Sequence, residues 1–280
     1  MESGPVGGDA AHTSPDRPEP PVRIEVRGLV CEFATAHATV RAVGPVDLRV
    51  RDREFCCLVG PSGCGKSTLL RVVGGLAEPS AGTLSVRLFD GESVRPLAFV
   101  FQDYGIYPWK TTEENVAFGL EIATVPVAER RARVSRWIAA LALNGFERAY
   151  PRELSGGMRQ RVSIARAMAV DPQVLLMDEP FAAVDPQMRV LLQDEVLRLW
   201  QADARTVLMV THSLEEALVL ADRIVVMSAR PGRVLAEVEV PFSRPRDEGI
   251  RHSAAFWELH ERLWGLLRNE VQAQEPRGEA

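Results

Sequence analysis

Apolar and polar residues alternate over 23–26 and 46–50 with the period of half-buried strands. Residues 55–59 form an unbroken apolar run, the pattern of a strand covered on both faces. A glycine-rich stretch, 60–65, separates this run from good helix formers over 67–73, which Gly74 and Gly75 stop. Strand, glycine loop and helix in that order make the first half of a βαβ unit. The character changes over about 105–170. Within 127–143, Val134, Trp137, Ile138 and Leu141 recur at the spacing of one helix face, and 158–170 reads as a second helix ended by Asp171-Pro172. No strand signal intervenes, so this stretch reads as a helical insertion in an α/β domain.

The alternating pattern then resumes. A buried strand is expected at 174–177, then a helix at 187–200 with Met188, Leu191, Leu192, Val196 and Leu199 inward. A strand at 206–210 precedes a capping box from Ser213 to Glu216, which opens a helix facing inward through Leu214, Ala217, Leu218 and Ala221. After a strand at 224–227, an amphipathic helix over 256–267 groups Phe256, Leu259, Leu263 and Leu267. Strands alternating with helices predict a mainly parallel sheet with its ligand at the carboxyl ends of the strands.

Composition narrows the function classes. The 280 residues are 46% hydrophobic and 25% charged, an ordinary globular balance. Lys+Arg number 33 against 38 Asp+Glu, a net charge of −5, which excludes a strongly basic nucleic-acid binder. No apolar run approaches the roughly 18 residues that span a bilayer, so a channel made by this chain alone is excluded. Residues 1–21 hold five Pro and three Gly without the apolar core of a signal peptide, and are expected to be a disordered extension. Residues 269–280 are expected to be a flexible tail. The four cysteines, Cys31, Cys56, Cys57 and Cys64, lack CxxC spacing and read as reduced, buried thiols of a cytosolic protein.

Three segments carry chemistry. Gly60-Pro61-Ser62-Gly63-Cys64-Gly65-Lys66-Ser67-Thr68 fits the phosphate-loop pattern G-x-x-x-x-G-K-[ST]. Its glycines let successive N–H groups converge on one phosphate, and the following helix adds the positive end of its dipole. Lys66 would reach the β and γ phosphates of a nucleotide, and Ser67 would ligate Mg²⁺. Cys64 is expected to react with thiol reagents unless nucleotide shields it. The second segment ends a buried strand with two acids, Asp178 and Glu179. Neighbouring strand residues face opposite ways, so the two divide their tasks: Asp178 suits the Mg²⁺ shell, and Glu179 the polarisation of water. Third, Ser155-Gly156-Gly157 caps a helix and exposes N–H groups, a second anion site.

With Leu154 before it and Met158-Arg159-Gln160-Arg161 after it, this third segment resembles the signature of the ATP-binding cassette (ABC) ATPases. The resemblance covers about residues 23–235 and implies an ABC-type phosphate-loop NTPase fold: a mainly parallel core, a β subdomain and the inserted helices. The ATPase domain would span 22–245, followed by a helical segment over 246–268. Gln102 then fits the Q-loop glutamine that reaches Mg²⁺ and the attacking water, Asp185 the D-loop aspartate, His212 the switch histidine, and Phe33 the aromatic on adenine. Departures are Ala182-Ala183-Val184-Asp185 where Ser-Ala-Leu-Asp or Gly-Ala-Leu-Asp is common, Arg53 where Gly is common, and Phe33 in place of Tyr.

The resemblance further implies ATP and Mg²⁺ as cofactors and a head-to-tail homodimer, each ATP lying between one phosphate loop and the other chain's Ser155-Gly156-Gly157. Tyr107-Pro108-Trp109-Lys110-Thr111 and Arg230-Pro231-Gly232-Arg233 look like importer subunits for nitrate, sulfonates and taurine. That implies transmembrane permease subunits, indirect work with an extracytoplasmic solute-binding protein, a peripheral place on the cytoplasmic face of the membrane, and no nucleic-acid partner. The alternative class is a non-transport ABC ATPase of DNA repair or translation. It usually carries long coiled coils or tandem cassettes, and neither pattern is seen here. A regulatory module that binds ATP without cleaving it is disfavoured by Glu179 and His212, and a small-molecule kinase leaves Ser155 without a role.

Overall fold

The computed structural model describes residues 20–34, 38–89, 96–202, 205–246 and 248–272. Two antiparallel strands, β1 (Val22–Ala34) and β2 (Thr39–Arg51), lead to β3 (Phe55–Val59), α1 (Lys66–Val73), β4 (Ala81–Val86) and β5 (Leu97–Val100). Three helices follow, α2 (Thr112–Ile122), α3 (Val127–Ala140) and α4 (Gly156–Ala169). The chain then alternates through β6 (Val174–Asp178), α5 (Pro186–Ala202), β7 (Thr206–Thr211), α6 (Leu214–Leu220), β8 (Arg223–Met227) and β9 (Val234–Glu239) to α7 (Ala254–Gln272).

Two sheets result. β2, β1 and β4 form an antiparallel one, and the larger sheet runs in the order β5-β6-β7-β3-β8-β9. Its first five strands are mutually parallel, and β9 pairs antiparallel with β8 at the edge. This is the mainly parallel α/β architecture that the alternation predicts. The inner strands β6, β7, β3 and β8 of the larger sheet are buried on both faces, which is why they read as nearly continuous apolar runs, whereas the edge strand β9 alternates. Alternate residues of β3 show the division: Phe55, Cys57 and Val59 join the core under α4 to α7, whereas Cys56 and Leu58 join the core shared with α1 and the antiparallel sheet. Burial pushes both the Cys56 and the Cys57 thiols up, so they sit in the core as protonated, apolar groups.

Several expectations need revision. β1 and β2 each run 13 residues, far beyond 23–26 and 46–50, because register shifts along the ladder break the simple alternation. α5 buries Leu192, Gln193, Val196, Leu197 and Trp200, while Leu191 is 55% exposed. Trp200 is anchored on this face: its ring meets Phe55 edge-on at 5.8 Å and its Nε1–H donates to the Arg205 carbonyl at 2.7 Å. The capping box at Ser213 is half formed. Ser213 accepts from the Glu216 N–H, but the Glu216 carboxylate accepts from the Thr211 hydroxyl at 2.6 Å, and the Ser213 N–H donates to Thr211 Oγ1. Strands β4, β5 and β9 and helix α2 carried too weak a pattern to be expected. The anticipated N-terminal extension lies outside the described residues except for 20 and 21. Of the expected tail, 269–272 belong to α7, because Glu270 is held there by the Ala229 N–H at 2.8 Å; residues 273–280 lie outside the described residues.

Candidate functional site

The five parallel strands β5, β6, β7, β3 and β8 are neighbours, and the chain leaving each of them reaches one cavity of about 630 Å³. After β3 comes the phosphate loop. Gly65 sits there at φ 102°, and a Cβ on it would overlap Val43 Cγ2 and lie 2.8 Å from the Ala42 carbonyl oxygen, so only glycine lets the loop pass so close to β2. Lys66 is buried and folds back on the loop, donating to the Gly60 and Pro61 carbonyls at 2.8 and 2.9 Å. These bonds hold the ammonium among oxygen acceptors, the kind of partner that phosphate oxygens would be.

β6 delivers the acids. Ser67 at the start of α1 donates to Asp178 Oδ1 at 2.7 Å. Burial pushes the Asp178 carboxyl up, and the Ser67 hydrogen bond and the nearby Arg71 and Lys66 charges draw it back down. Glu179 adopts φ 45°, a left-handed backbone unusual for glutamate, and its N–H donates to the Val210 carbonyl at 2.9 Å. That geometry turns its carboxylate the other way from Asp178, into the cavity. There Gln102, two residues past β5, donates to Glu179 Oε2 at 3.1 Å, and His212 Nδ1, after β7, stands 3.4 Å from the same oxygen. Burial also pushes the Glu216 carboxyl up beneath this corner, with the Thr211 hydroxyl opposing the shift.

The cavity is lined by Phe33, Ser62, Gly63, Gly65, Lys66, Ser67, Thr68, Gln102, Glu179 and His212 among the residues singled out from the sequence. Asp178 stands behind Ser67, while Gly60 and Pro61 are held by Lys66. Cys64 corrects an expectation: its thiol is fully buried against Lys66 and the neighbouring core, so the loop cysteine is not presented to solvent reagents. Ser155, Gly156 and Gly157 do not line the cavity. Ser155 caps α4 by accepting from the Met158 N–H, Gly156 packs on the Ala183 carbonyl, and Gly157 packs on Val184. Asp185 caps α5 by accepting from the Met188 N–H at 3.0 Å. Reading the sequence missed Val40, Ala42 and Arg230 as lining residues. The only available signal was the Arg230-Pro231-Gly232-Arg233 turn, which carried resemblance but no chemical role.

Outside the cavity, the turn over 107–110 is held by buried Asn115, which accepts from the Tyr107 N–H at 2.7 Å and donates to the Tyr107, Lys110 and Thr111 carbonyls. On this turn Trp109 is 70% exposed. Among the described residues, no helix is long and apolar enough to cross a membrane.

Comparison with known proteins agrees with the geometry. The family model described as ABC transporter matches residues 43–182. An uncharacterized ABC transporter ATP-binding protein of Methanocaldococcus jannaschii is 45% identical over 254 residues, covering 89% of this chain and 93% of the relative. An aliphatic sulfonates import ATP-binding protein of Bacillus cereus is 38% identical, covering 82% and 90%, and a nitrate import ATP-binding protein of Synechocystis is 39% identical, covering 88% and 96%. Among solved structures, a dimeric post-hydrolysis ATP-binding cassette bound to ADP and phosphate superposes with a TM-score of 0.70 at 29% identity, over 79% of this chain and 100% of that one. With this fold and this convergence of strand ends, the chain belongs to the ABC transporter family.

Proposed function

We propose that this protein is the ATP-hydrolysing subunit of an importer for a small anionic solute such as nitrate, a sulfonate or taurine. The observation that carries the ATPase part is the meeting of Gln102, Glu179 and His212 at one carboxylate oxygen, on the rim of a cavity floored by the phosphate loop. In this reading the N–H groups of 62–68 and the Lys66 ammonium hold the polyphosphate. Lys66 exchanges its loop carbonyls for phosphate oxygens. Phe33 offers an exposed ring to the adenine.

The oxygen donors Ser67 Oγ and Asp178 Oδ1, 2.7 Å apart, suit Mg²⁺, a hard cation held by one or two protein oxygens and completed by phosphate and water. Gln102 is the third candidate ligand. When bound, the ion would neutralise charge on the phosphates. Glu179 is the general base. Its carboxylate orients a water and accepts its proton, while Gln102 and His212 hold that carboxylate in place and His212 faces the terminal phosphate.

Ser155-Gly156-Gly157 lies outside its own chain's cavity, and the similar cassette is dimeric. Both support a head-to-tail homodimer in which this segment covers the partner's nucleotide. ATP then favours the closed pair and hydrolysis the open one. The exposed Trp109 on its rigid turn supports contact with a separate permease, the membrane component such a subunit requires. The solute rests on the names of the sulfonate and nitrate relatives. Co-expression with candidate permeases, followed by ATPase and uptake assays over nitrate, sulfonates and taurine, tests the whole reading. Failure to co-purify with any permease, together with association with nucleic acid or ribosomes, would favour the non-transport class.

A further inference from the structure

Four of the five neighbouring parallel strands supply the groups described above. The fifth, β8, runs into a turn over 228–233 that brings Arg230 to the same cavity. We propose that Arg230 is a nucleotide-binding residue whose guanidinium grips the polyphosphate of ATP; the proposal rests on the ATP reading of the cavity.

Arg230 Nε donates to the Gly63 carbonyl at 3.1 Å, which docks the side chain on the phosphate loop. That bond uses one of the five N–H donors a guanidinium carries, and among the described residues the others have no protein partner and Arg230 makes no ion pair. Among the described residues, Lys66 and Arg230 are the lysine and arginine side chains that line the cavity, and Glu179 offsets one of those charges. A triphosphate brings several negative charges and Glu179 adds another, so a fixed guanidinium at this rim would add to what Lys66 and a bound Mg²⁺ neutralise.

The turn is also rigid, which lowers the entropy lost when the guanidinium engages a ligand. The Ser228 N–H donates to the Arg233 carbonyl at 2.8 Å, and Ser228 Oγ accepts from the Arg233 N–H at 3.0 Å. Glu270 at the end of α7 accepts from the Ala229 N–H at 2.8 Å. Gly232 donates to the Ala42 carbonyl at 3.0 Å and accepts from the Gly44 N–H at 2.8 Å, so the turn is bolted to β2 as well. A Cβ on Gly232 would overlap the Cys64 carbonyl oxygen, a measure of how closely the turn lies under the phosphate loop.

The test is equilibrium binding to the full-length protein with magnesium present. ATP is measured by calorimetry, and inorganic tripolyphosphate by displacement of a fluorescent ATP, each at low and high salt. Arg230→Gln should weaken both ligands by about tenfold at low salt, with a gap that narrows at high salt, and Arg230→Lys should recover part of the loss. ATP affinity within about twofold of the parent protein would overturn the proposal. So would a loss for ATP with tripolyphosphate unchanged, which is a base or sugar contact, or an equal loss at both salts, which is a neutral brace on Gly63. Lys66→Ala separates the two readings. If it loses ATP and Arg230→Gln does not, only the Arg230 assignment falls; if the parent protein binds no ATP, or Lys66→Ala binds it undiminished, the cavity reading falls and takes this proposal with it.

Discussion

Ser67→Ala removes the hydroxyl that faces a buried carboxylate, and its effect on folding can be worked out without any ligand. Ser67 donates to Asp178 Oδ1 at 2.7 Å, and Asp178 is 1% exposed. A hydrogen bond to a charged group contributes about 1.5–3 kcal/mol, and leaving the acceptor buried and unsatisfied costs a comparable amount. A loss of about 2 kcal/mol at neutral pH is therefore expected, roughly a thirtyfold change in the folding equilibrium. The pH dependence follows from the direction of the Asp178 shift. Burial raises its carboxyl above the ordinary 3.8, so the folded state favours the protonated form. This group's burial then destabilises the fold as pH rises above 3.8 through the raised value, and the penalty vanishes as pH falls. The Ser67 hydrogen bond opposes that shift, so removing it raises the carboxyl further and enlarges the penalty at neutral pH. The gap between Ser67→Ala and the parent protein should thus be widest near pH 7.5 and narrow as the pH is lowered. Urea titrations of the nucleotide-free proteins across that range measure it. A gap below about 0.5 kcal/mol at neutral pH, or one that grows on acidification, would refute the reasoning.

Three further outcomes are expected. Glu179→Gln should keep ATP affinity within a fewfold and lower turnover by about 10²–10⁴, because general-base assistance is lost while the phosphate contacts stay; an ATPase assay beside calorimetry checks both, and near-normal turnover would remove the base assignment. Gly232→Ala should destabilise the fold by about 1–3 kcal/mol, since its Cβ would overlap the Cys64 carbonyl and neither backbone has room to yield; thermal unfolding of the variant decides this. In the native protein, Cys64 should resist an aromatic disulfide reagent with or without ATP and react only after denaturation, because its thiol is fully buried; rapid native labelling mapped to Cys64 would show that the loop opens.

Much of the fold was legible in the chain because its information is local. β3 was bounded residue for residue, since a strand buried on both faces is a continuous apolar run between polar ends. The inward faces of α3 and α7 were found because Val134, Trp137 and Ile138, and Phe256, Leu259 and Leu263, follow the helical period. The inward face of α5 was found in Met188, Leu192, Val196 and Leu199 but wrongly included Leu191 and missed Leu197 and Trp200, whose ring meets Phe55, far away in sequence. β4 is exposed along most of its length, so no buried apolar pattern marks it in the chain.

The sequence by itself determined the phosphate loop, the Asp178-Glu179 pair and the cap at Ser155, because each is a contiguous backbone device whose residues are neighbours in the chain. Only the tertiary structure decided which side chains share the cavity. Gln102, Glu179 and His212 meet because β5, β6 and β7 pair side by side, and Arg230 joins the rim because β8 pairs with β3. Sheet pairing between distant segments depends on the burial of whole faces, and no short stretch of sequence contains it. The same holds for Cys64: its letter in the loop suggests an accessible thiol, and the close approach of Gly60, Lys66 and Gly232 turns it inward.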